Sequence, residues 1–465
     1  MHPERARVHW GAMTPTPSRA ILTLGPAFYD VVQPARFPEH RLRFRNDRAA
    51  AEIGLGSLDD TQWVERMARF DPIPGSLETP LALRYHGHQF RAYNPDLGDG
   101  RGFLYAQFTA ADGRLLDLGT KGSGTTPWSR AGDGRLTLKG AVREALATGM
   151  LEALGVPTSR TLSIVETGEA LTRGDEPSPT RSAVLVRLSH GHIRIGTFQR
   201  LAYLGETDNL ARLVAYVRRK LHGGEDTDPV ALIAHTVAAT ARTVARIMVA
   251  GFVHGVLNTD NINVTGESFD YGPWRFLPTM DPGFTAAYFD HGGLYAYARQ
   301  PEAIQWNLLQ LARALRLLAE AEPLLDALQS FPQSYAAELG LATCARLGIV
   351  PRGADDDSAL FATIVATLEA SGTGFDDFWA DWRGGVPGAE GYNGPEWREL
   401  RAALADRSAG APPVARIAPP TMLIGDVEAI WSAIAERDDW GPFEDKIAAV
   451  RAFGATFARG DDASV

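Results

Sequence analysis

The sequence contains almost no cysteine. Cys344 is the only one among 465 residues, so no disulfide can form within the chain. Disulfides persist in oxidising compartments and are rare in the cytosol, where thiols stay reduced. This composition, together with the lack of a convincing targeting segment, predicts a cytoplasmic protein.

Long apolar runs and an excess of basic residues are also missing. No apolar run approaches the roughly 18 residues that a membrane-spanning helix requires. The formal net charge is -10 and the isoelectric point is about 5.6, whereas nucleic acids and anionic membranes select for basic surfaces. We therefore expect neither nucleic acid nor a membrane as the main partner.

The chain does have enough apolar residues for a large core. Its 465 residues are 45% hydrophobic and 22% charged, which is typical of a globular protein with two or three parts. Strand patterns are concentrated in the first half and helical patterns in the second, so we predict an α+β fold. The patterns divide the chain into a loop-rich extension, a sheet-rich part, a helical part and a second helical extension, at residues 1–83, 84–205, 206–320 and 321–465.

A lysine ends a predicted strand in the sheet-rich part. The stretches "FLYAQFT" and "LLDLGTK" have strand character and are joined by the turn "ADGR". Period-two alternation puts Leu116 and Leu118 on one face of the second strand and Lys121 on the other. On its own, such a lysine is most often solvated.

Glycines and arginines near this lysine suggest phosphate binding. In "LGDGRG", Gly98 and Gly100 would let backbone N–H groups approach a phosphate, and Arg101 would add charge, although a plain tight turn is the alternative. Arg187 and Arg194 lie on and just after the later strand "SAVLVRLS". They are interpreted either as surface charge or as a clamp on phosphate oxygens.

A predicted helix follows, with Glu144 beside its apolar stripe. Leu138, Val142 and Leu146 recur at helical spacing in "LKGAVREALATGMLEALGVP". Glu144 comes 23 residues after Lys121. Protein kinases position their nucleotide with an ion pair between a strand lysine and a helix glutamate, and this order of parts fits that arrangement.

The most distinctive stretch is "HGVLNTDN", which follows a long predicted helix over residues 228–250. In the kinase pattern H-R-D-L-x-x-x-N, the aspartate is the catalytic base and the asparagine binds metal. His254 and Asn261 have the kinase separation, but Val256 occupies the position of the base. Asp260 stands beside the asparagine instead, so the loop retains a carboxylate for chemistry of another kind.

A second acid in "NINVTGESFDYG" completes a candidate metal site. Asp270 lies nine residues after Asn261 and begins a "DYG" that is similar to the kinase D-F-G. An amide oxygen and a carboxylate are hard ligands of the kind that magnesium prefers. The combined pattern predicts a site for a nucleotide and its metal ion, whereas either half alone would be read as an Asn/Asp-rich turn.

These residues carry a family resemblance. The sequence resembles the selenoprotein O family, and the matching motifs follow the family's order from about residue 24 to about residue 318. The matching stretches are "YHGHQFRAYNPDLGDGRG", "KGSGTTPWSRAGDGR", "VREALATGMLEALGVPTSRTL", "VRLSHGHIRIGTF", "GFVHGVLNTDNINVTGESFDYGPWRFL" and "YAYARQPEAIQWNLLQLARAL". The family generally has glycine where this chain has Arg91, and residues beyond about 320 match poorly.

The resemblance implies a protein-kinase-like fold of two lobes, the first small and sheet-rich with one key helix, the second larger and mostly helical. It implies transfer of AMP from ATP, bound in the reverse of the kinase orientation, to Ser, Thr or Tyr hydroxyls of proteins, including the protein itself. By this resemblance, Asp260 is the proton acceptor, Glu144 supports Lys121, and Asn261 and Asp270 bind Mg²⁺, or Mn²⁺ as the alternative ion. The residues implied to hold ATP are Gly98, Gly100, Arg101, Lys121, Asp133, Gly134, Arg187, Arg194 and Asp270.

Two other functions remain open from the residues alone. One is a conventional phosphotransferase, which the missing base at Val256 disfavours. The other is a catalytically inactive pseudokinase scaffold, which would keep Lys121 and Asp270 but would need no carboxylate at Asp260. Transfer of label from the α or the γ phosphate of ATP separates the three.

Overall fold

The structure is a computed structural model that describes residues 14–174, 176–388, 390–405, 407 and 419–461. It contains both helices and strands, as the sequence predicts. The strands are β1 Thr16–Ser18, β2 Tyr29–Val31, β3 Arg41–Arg45, β4 Leu81–Leu83, β5 Gly87–Gln89, β6 Ala92–Asn94, β7 Leu104–Thr109, β8 Leu115–Lys121, β9 Leu136–Thr137, β10 Arg160–Leu171, β11 Thr180–Ser189, β12 Phe252–Val253 and β13 Arg275–Phe276. The helices are α1 Asp47–Glu52, α2 Asp60–Met67, α3 Leu138–Ala153, α4 Ile195–Leu204, α5 Thr207–Tyr216, α6 Pro229–Ala250, α7 Gln300–Leu315, α8 Ala321–Gln329, α9 Phe331–Leu347, α10 Ala354–Ser371, α11 Phe375–Asp381, α12 Arg398–Ala405, α13 Ile424–Arg437 and α14 Gly441–Asp461.

One large antiparallel sheet organises the first half of the chain. Seven strands follow the order β2-β4-β7-β8-β11-β10-β3, and the short β1 and β9 pair with β7 and β11. The described residues before 84 contribute β1 to β4 to this sheet, between loops. Three of these four strands have only three residues, which is too short for a period-two pattern to be recognised in the sequence.

The two faces of the sheet have different tasks. Leu116 and Leu118 of β8 are fully buried in an apolar cluster with Val184 and Val186 of β11. Residues of opposite parity, including Lys121, lie on the other face, as the alternation predicts. Because one face is sealed by apolar side chains, the opposite face is left to carry charged groups.

Helix α6 is the long buried helix that the sequence predicts. Asp228 caps its first turn by accepting from the backbone N–H of Val230 at 2.9 Å, and Gly251 ends it with a left-handed φ of 68°. Within the part of the chain that the structure describes, it is the one helix long and apolar enough to cross a membrane, but 67% of its most apolar window is buried inside the protein. It delivers the chain directly into β12 and the loop that follows.

The last two helices pack against α3 instead of extending away from the sheet. Ile447 and Val450 of α14 share one apolar cluster with Val142 and Leu146 of α3. At the end of α13, Asp438 accepts hydrogen bonds from Arg181 of β11 at 2.7 Å and from Arg43 of β3 at 3.1 Å. Helix α3 is thus held between the sheet and the C-terminal helices.

We expect Phe443→Ala to destabilise the protein by about 3–5 kcal/mol, since the cavity left by a buried phenylalanine is only partly refilled. Phe443 is 1% exposed and makes edge contacts with Phe44 and Trp440. Urea denaturation followed by tryptophan fluorescence measures the change. Val350→Ala, at a side chain that is 76% exposed, is the control; equal stability of the two variants would contradict the packing described here.

Candidate active site

Strands β8 and β11 bring two cations to the same face of the sheet. Their register pairs Gly119 with Arg187 and Lys121 with Leu185. Arg187 and Lys121 therefore lie on diagonal positions of one face. Both side chains are at least nine-tenths buried, so each needs a partner charge.

Lys121 receives one partner from helix α3. Its Nζ lies 2.5 Å from Oε2 of Glu144, a side chain that is 2% exposed. Thr137 caps the helix by accepting from the N–H of Gly140 at 3.1 Å. The strand lysine and the helix glutamate thus form an ion pair, as in the kinase arrangement that the sequence pattern fits.

Asp270 is the point at which the cations converge. Its Oδ1 lies 3.0 Å from Nζ of Lys121 and accepts from Nη1 of Arg187, and its Oδ2 accepts from Nη1 of Arg194 at 2.9 Å. Burial opposes ionisation, but the three cations hold the pKa of Asp270 well below its ordinary value. Its φ of 63° is unusual for a residue other than glycine, and we interpret it as a conformation imposed by this site.

His254 supports Asp270 from behind. Its ring is fully buried, and Nε2 donates to the carbonyl oxygen of Phe269 at 3.0 Å. Its backbone N–H donates to Oε1 of Gln300 in α7. The histidine retained from the kinase pattern therefore holds the residue that precedes Asp270.

The loop after His254 is held by the β5–β6 hairpin. The N–H of His88 donates to Oγ1 of Thr259 at 2.7 Å, and the N–H of Phe90 donates to Oδ1 of Asn258 at 3.0 Å. Arg91 has a left-handed φ of 63° and pairs with Glu302 at 3.0 Å. The hairpin thus holds the side chains of the two residues that immediately precede Asp260.

Asp260 is a buried acid with one idle oxygen. The residue is 8% exposed, and within the described part of the chain its Oδ1 is buried with no hydrogen-bond partner. Burial raises the pKa of Asp260 to about 6, against the opposing charge of Arg194. A carboxylate with this pKa is suited to accept a proton near neutral pH.

Arg194 links three segments around this acid. It donates through Nη1 to the backbone oxygen of Asp260 at 2.8 Å and through Nη2 to Oδ1 of Asp99 at 3.2 Å. Its guanidinium also lies over the rings of Tyr85 and Phe269. The nearby acids and Tyr85 outweigh burial and raise its pKa, so Arg194 is a permanent cation in the site.

The Gly-rich turn packs closely on a second loop. A Cβ atom at Gly98 would lie 2.4 Å from the ring of Trp128, and one at Gly100 would lie 2.8 Å from the Trp128 backbone oxygen. Both distances are shorter than contacts between non-bonded atoms allow. Glycine is therefore needed here for the approach of two protein segments, whether or not a ligand is bound.

The cation cluster, Asp260 and the Gly-rich turn surround one cavity of about 780 Å³. It is lined by 11 of the 12 predicted site residues: Gly98, Gly100, Arg101, Lys121, Asp133, Gly134, Arg187, Arg194, Asp260, Asn261 and Asp270. Glu144, the remaining one, lies behind Lys121. At the outer end, Asp133 is exposed and pairs with Arg173 at 2.8 Å.

The donor set fits magnesium. Asn261 donates through Nδ2 to the carbonyl oxygen of Val256 at 2.9 Å, which turns its amide oxygen away from that contact. With the carboxylate of Asp270, this amide oxygen gives the cavity hard oxygen ligands. Groups of three or more His, Cys, Asp or Glu residues that could hold a metal are absent from the described residues. Magnesium needs no such group, because it keeps waters and takes oxygens from phosphates.

Several residues of the site were not predicted from the sequence. Asp99 lies inside the Gly-rich turn and pairs with Arg194, while His192 contacts Arg187. Arg173 lies in the loop between β10 and β11 and pairs with Asp133. Asp99 could have been found from its place between two glycines, but Arg173 is 40 residues from Asp133 and His192 is 75 residues from its other partner, Asp117.

A basic cavity with a buried acid is the kind of site found in enzymes that act on phosphate-bearing substrates. A comparison with known families shows that the chain belongs to the protein adenylyltransferase SelO family, whose model matches residues 13–386. It is therefore an enzyme of the nucleotidyltransferase class.

Bacterial relatives agree with this assignment. A protein nucleotidyltransferase YdiU from Synechocystis sp. is 44% identical over 462 residues, covering 92% of this chain and 96% of the relative. Another from Gloeobacter violaceus is 45% identical and covers 93% and 94%. A third, from Aeromonas salmonicida, is 37% identical and covers 75% and 71%.

Proposed function

We propose that this enzyme transfers AMP from ATP to Ser, Thr or Tyr hydroxyls of proteins and releases pyrophosphate. The observation that carries the proposal is the convergence of Lys121, Arg187 and Arg194 on Asp270, within one cavity that also holds the buried Asp260. All three cations line the cavity, where they can contact phosphate oxygens. A carboxyl with an idle oxygen matches the need for a proton acceptor.

The cation cluster is suited to attack at the α-phosphorus. That reaction expels pyrophosphate, so charge must be neutralised along the whole triphosphate chain. Arg187 and Arg194 add two charges to that of the strand lysine, and their orientation is fixed by buried contacts. We propose that ATP lies reversed relative to the kinase orientation, which moves the reacting phosphorus towards Asp260 and away from Val256.

In this reaction Asp260 accepts the proton of the attacking hydroxyl. The new bond joins the hydroxyl oxygen to the α-phosphorus, and the bond between that phosphorus and the bridging oxygen breaks. The two electrons of the broken bond leave with pyrophosphate. Arg194 holds the backbone of Asp260 in place through the 2.8 Å contact to its carbonyl oxygen.

Asn261 and Asp270 would hold Mg²⁺, with Mn²⁺ as the alternative ion. When bound, the ion would supply positive charge to the phosphate oxygens. Gly98, Gly100, Arg101, Asp133 and Gly134 would line the rest of the nucleotide site, as their positions in the cavity support.

We further propose a protein-kinase-like arrangement of two lobes. The sheet carries Lys121 and Arg187, and the helical part carries Asn261 and Asp270, so the cavity takes residues from both. The acceptors are proteins, including other copies of this chain. Nucleic acid and membrane are not expected as partners, in line with the net charge of -10, and the bacterial relatives and the single buried cysteine support a cytoplasmic location.

ATP labelled at either the α or the γ phosphate tests the proposal. The protein is incubated with magnesium, a generic protein substrate and one of the two labelled nucleotides. We expect protein-bound label from the α position and none from the γ position. Label on the enzyme itself is expected first, because its own surface hydroxyls are at high effective concentration.

The other outcomes each support a different function. Label from the γ position would identify a conventional phosphotransferase. ATP binding with no transfer of either label would identify an inactive pseudokinase scaffold.

A further inference from the structure

A buried chain of hydrogen bonds lies behind Arg187. Nε of Arg187 donates to Nε2 of His192 at 3.1 Å, and Nδ1 of His192 lies 3.2 Å from Oδ2 of Asp117. Oδ1 of Asp117 in turn accepts from Nε2 of Gln107 at 2.7 Å. All four side chains are 5% exposed or less.

The contacts define the proton positions on His192. Arginine has only donors, so Nε2 of His192 must accept from it, and the single ring proton must sit on Nδ1 and point at Asp117. Burial lowers the pKa of His192, against the pull of the hydrogen bond to Asp117. The ring is therefore neutral, and Asp117 fixes its tautomer.

The strand is shaped to admit this ring. Gly119 lies opposite Arg187 in the sheet, and a Cβ atom there would lie 2.3 Å from Nε2 of His192. Any larger residue would push the imidazole away from the guanidinium. With Nε held, the plane of Arg187 is fixed and its Nη1 points to Asp270.

We propose that Asp117 and His192 are positioning residues for ATP, acting through Arg187. They hold the guanidinium in the one orientation in which it can grip phosphate oxygens beside Lys121 and Arg194. The inference rests on the proposed function, because it assigns a task to a residue of the same site. Neither Asp117 nor His192 touches the reacting atoms.

The test compares two substitutions of His192. His192→Ala removes the acceptor for Nε of Arg187, and we expect ATP affinity measured by calorimetry to fall about ten- to a hundredfold, as for the loss of one hydrogen bond to a charged group. His192→Gln can offer an amide oxygen instead and should recover most of that loss. The KM for the protein substrate should not change. His291→Ala, at an exposed histidine, is the control.

A double-mutant cycle shows whether the effect passes through Arg187. Lysine has no Nε donor in a planar fork, so His192→Ala should have little further effect on ATP affinity in the Arg187→Lys background. Equal effects of His192→Ala in both backgrounds would overturn the proposal. So would equal ATP affinity of the alanine and glutamine variants.

A readout without ATP separates this inference from the proposed function. The ¹⁵N spectrum of the histidine rings, with His192 assigned from its absence in His192→Gln, should show a neutral ring with the proton on Nδ1. A proton on Nε2, or a charged ring at neutral pH, would contradict the hydrogen-bond chain from Asp117 through His192 to Arg187. If the Nδ1 tautomer is found but ATP does not bind the wild-type protein, the proposed function is the one that fails.

Discussion

Asp260→Asn should abolish AMP transfer and leave ATP binding nearly unchanged. The amide keeps the size of the side chain but cannot accept the hydroxyl proton, and loss of a general base typically lowers the rate by about 10²- to 10⁴-fold. Asp260 makes no side-chain hydrogen bond through its idle Oδ1, so the substitution leaves the cation cluster intact. The measurement is the rate of α-label transfer beside calorimetric ATP affinity.

A matched control distinguishes this role from a general effect of lost charge. Asp281→Asn removes an exposed carboxylate outside the cavity and should change neither the rate of AMP transfer nor the affinity for ATP. If Asp260→Asn lost ATP binding together with transfer, Asp260 would be a binding residue. If it kept its transfer rate, another group would have to take the proton.

Asp270→Asn should have the second large effect, on transfer and on stability together. Three cations now share this carboxylate, and removing its charge leaves them with less compensation in a buried site. We expect about 3 kcal/mol of lost stability. Loss of the metal ligand should lower transfer by about a thousandfold, because the charge of a catalytic ion contributes several kcal/mol.

The dependence on metal gives the sharper readout. In the wild-type protein, removing magnesium with a chelator should weaken ATP binding. In Asp270→Asn, the same chelator should change ATP affinity little. The three cations that pair with Asp270 are then free to contact the phosphates, and the metal ion has lost its carboxylate ligand. Asp226→Asn, at an exposed partner of Arg218, is the control for a broken ion pair and should behave like the wild type. A variant that still needs metal for ATP binding would contradict the role of Asp270.

The long elements and the central site could be predicted because their signals are local. Strand β8 is bounded as the sequence pattern predicts, and α6 begins after Asp228 and ends at Gly251. Lys121 and Glu144 contact each other, and the loop residues Asn261 and Asp270 line the same cavity. Here each periodic pattern or motif lies within one short stretch of chain.

Other features depend on contacts between separate segments of the chain, which local sequence patterns do not reveal. The strands β1, β2 and β4 are too short to show periodicity. Strands β1 and β4 pair with the longer β7, and β2 pairs with β4. His192 acquires its task only through Asp117 and Arg187 on two neighbouring strands. The turn around Gly98 was interpreted as a phosphate site or as a plain tight turn, but its close packing on Trp128 could be seen only in three dimensions.

The packing of α13 and α14 on α3 has a consequence for how the enzyme is made. Helix α3 carries Glu144, and its outer side is covered by residues as late in the chain as Phe453. During translation, a nascent chain that ends before these residues leaves that side exposed to water and the ion pair of Lys121 and Glu144 unsupported. A complete site can therefore form only after α13 and α14 have been synthesised.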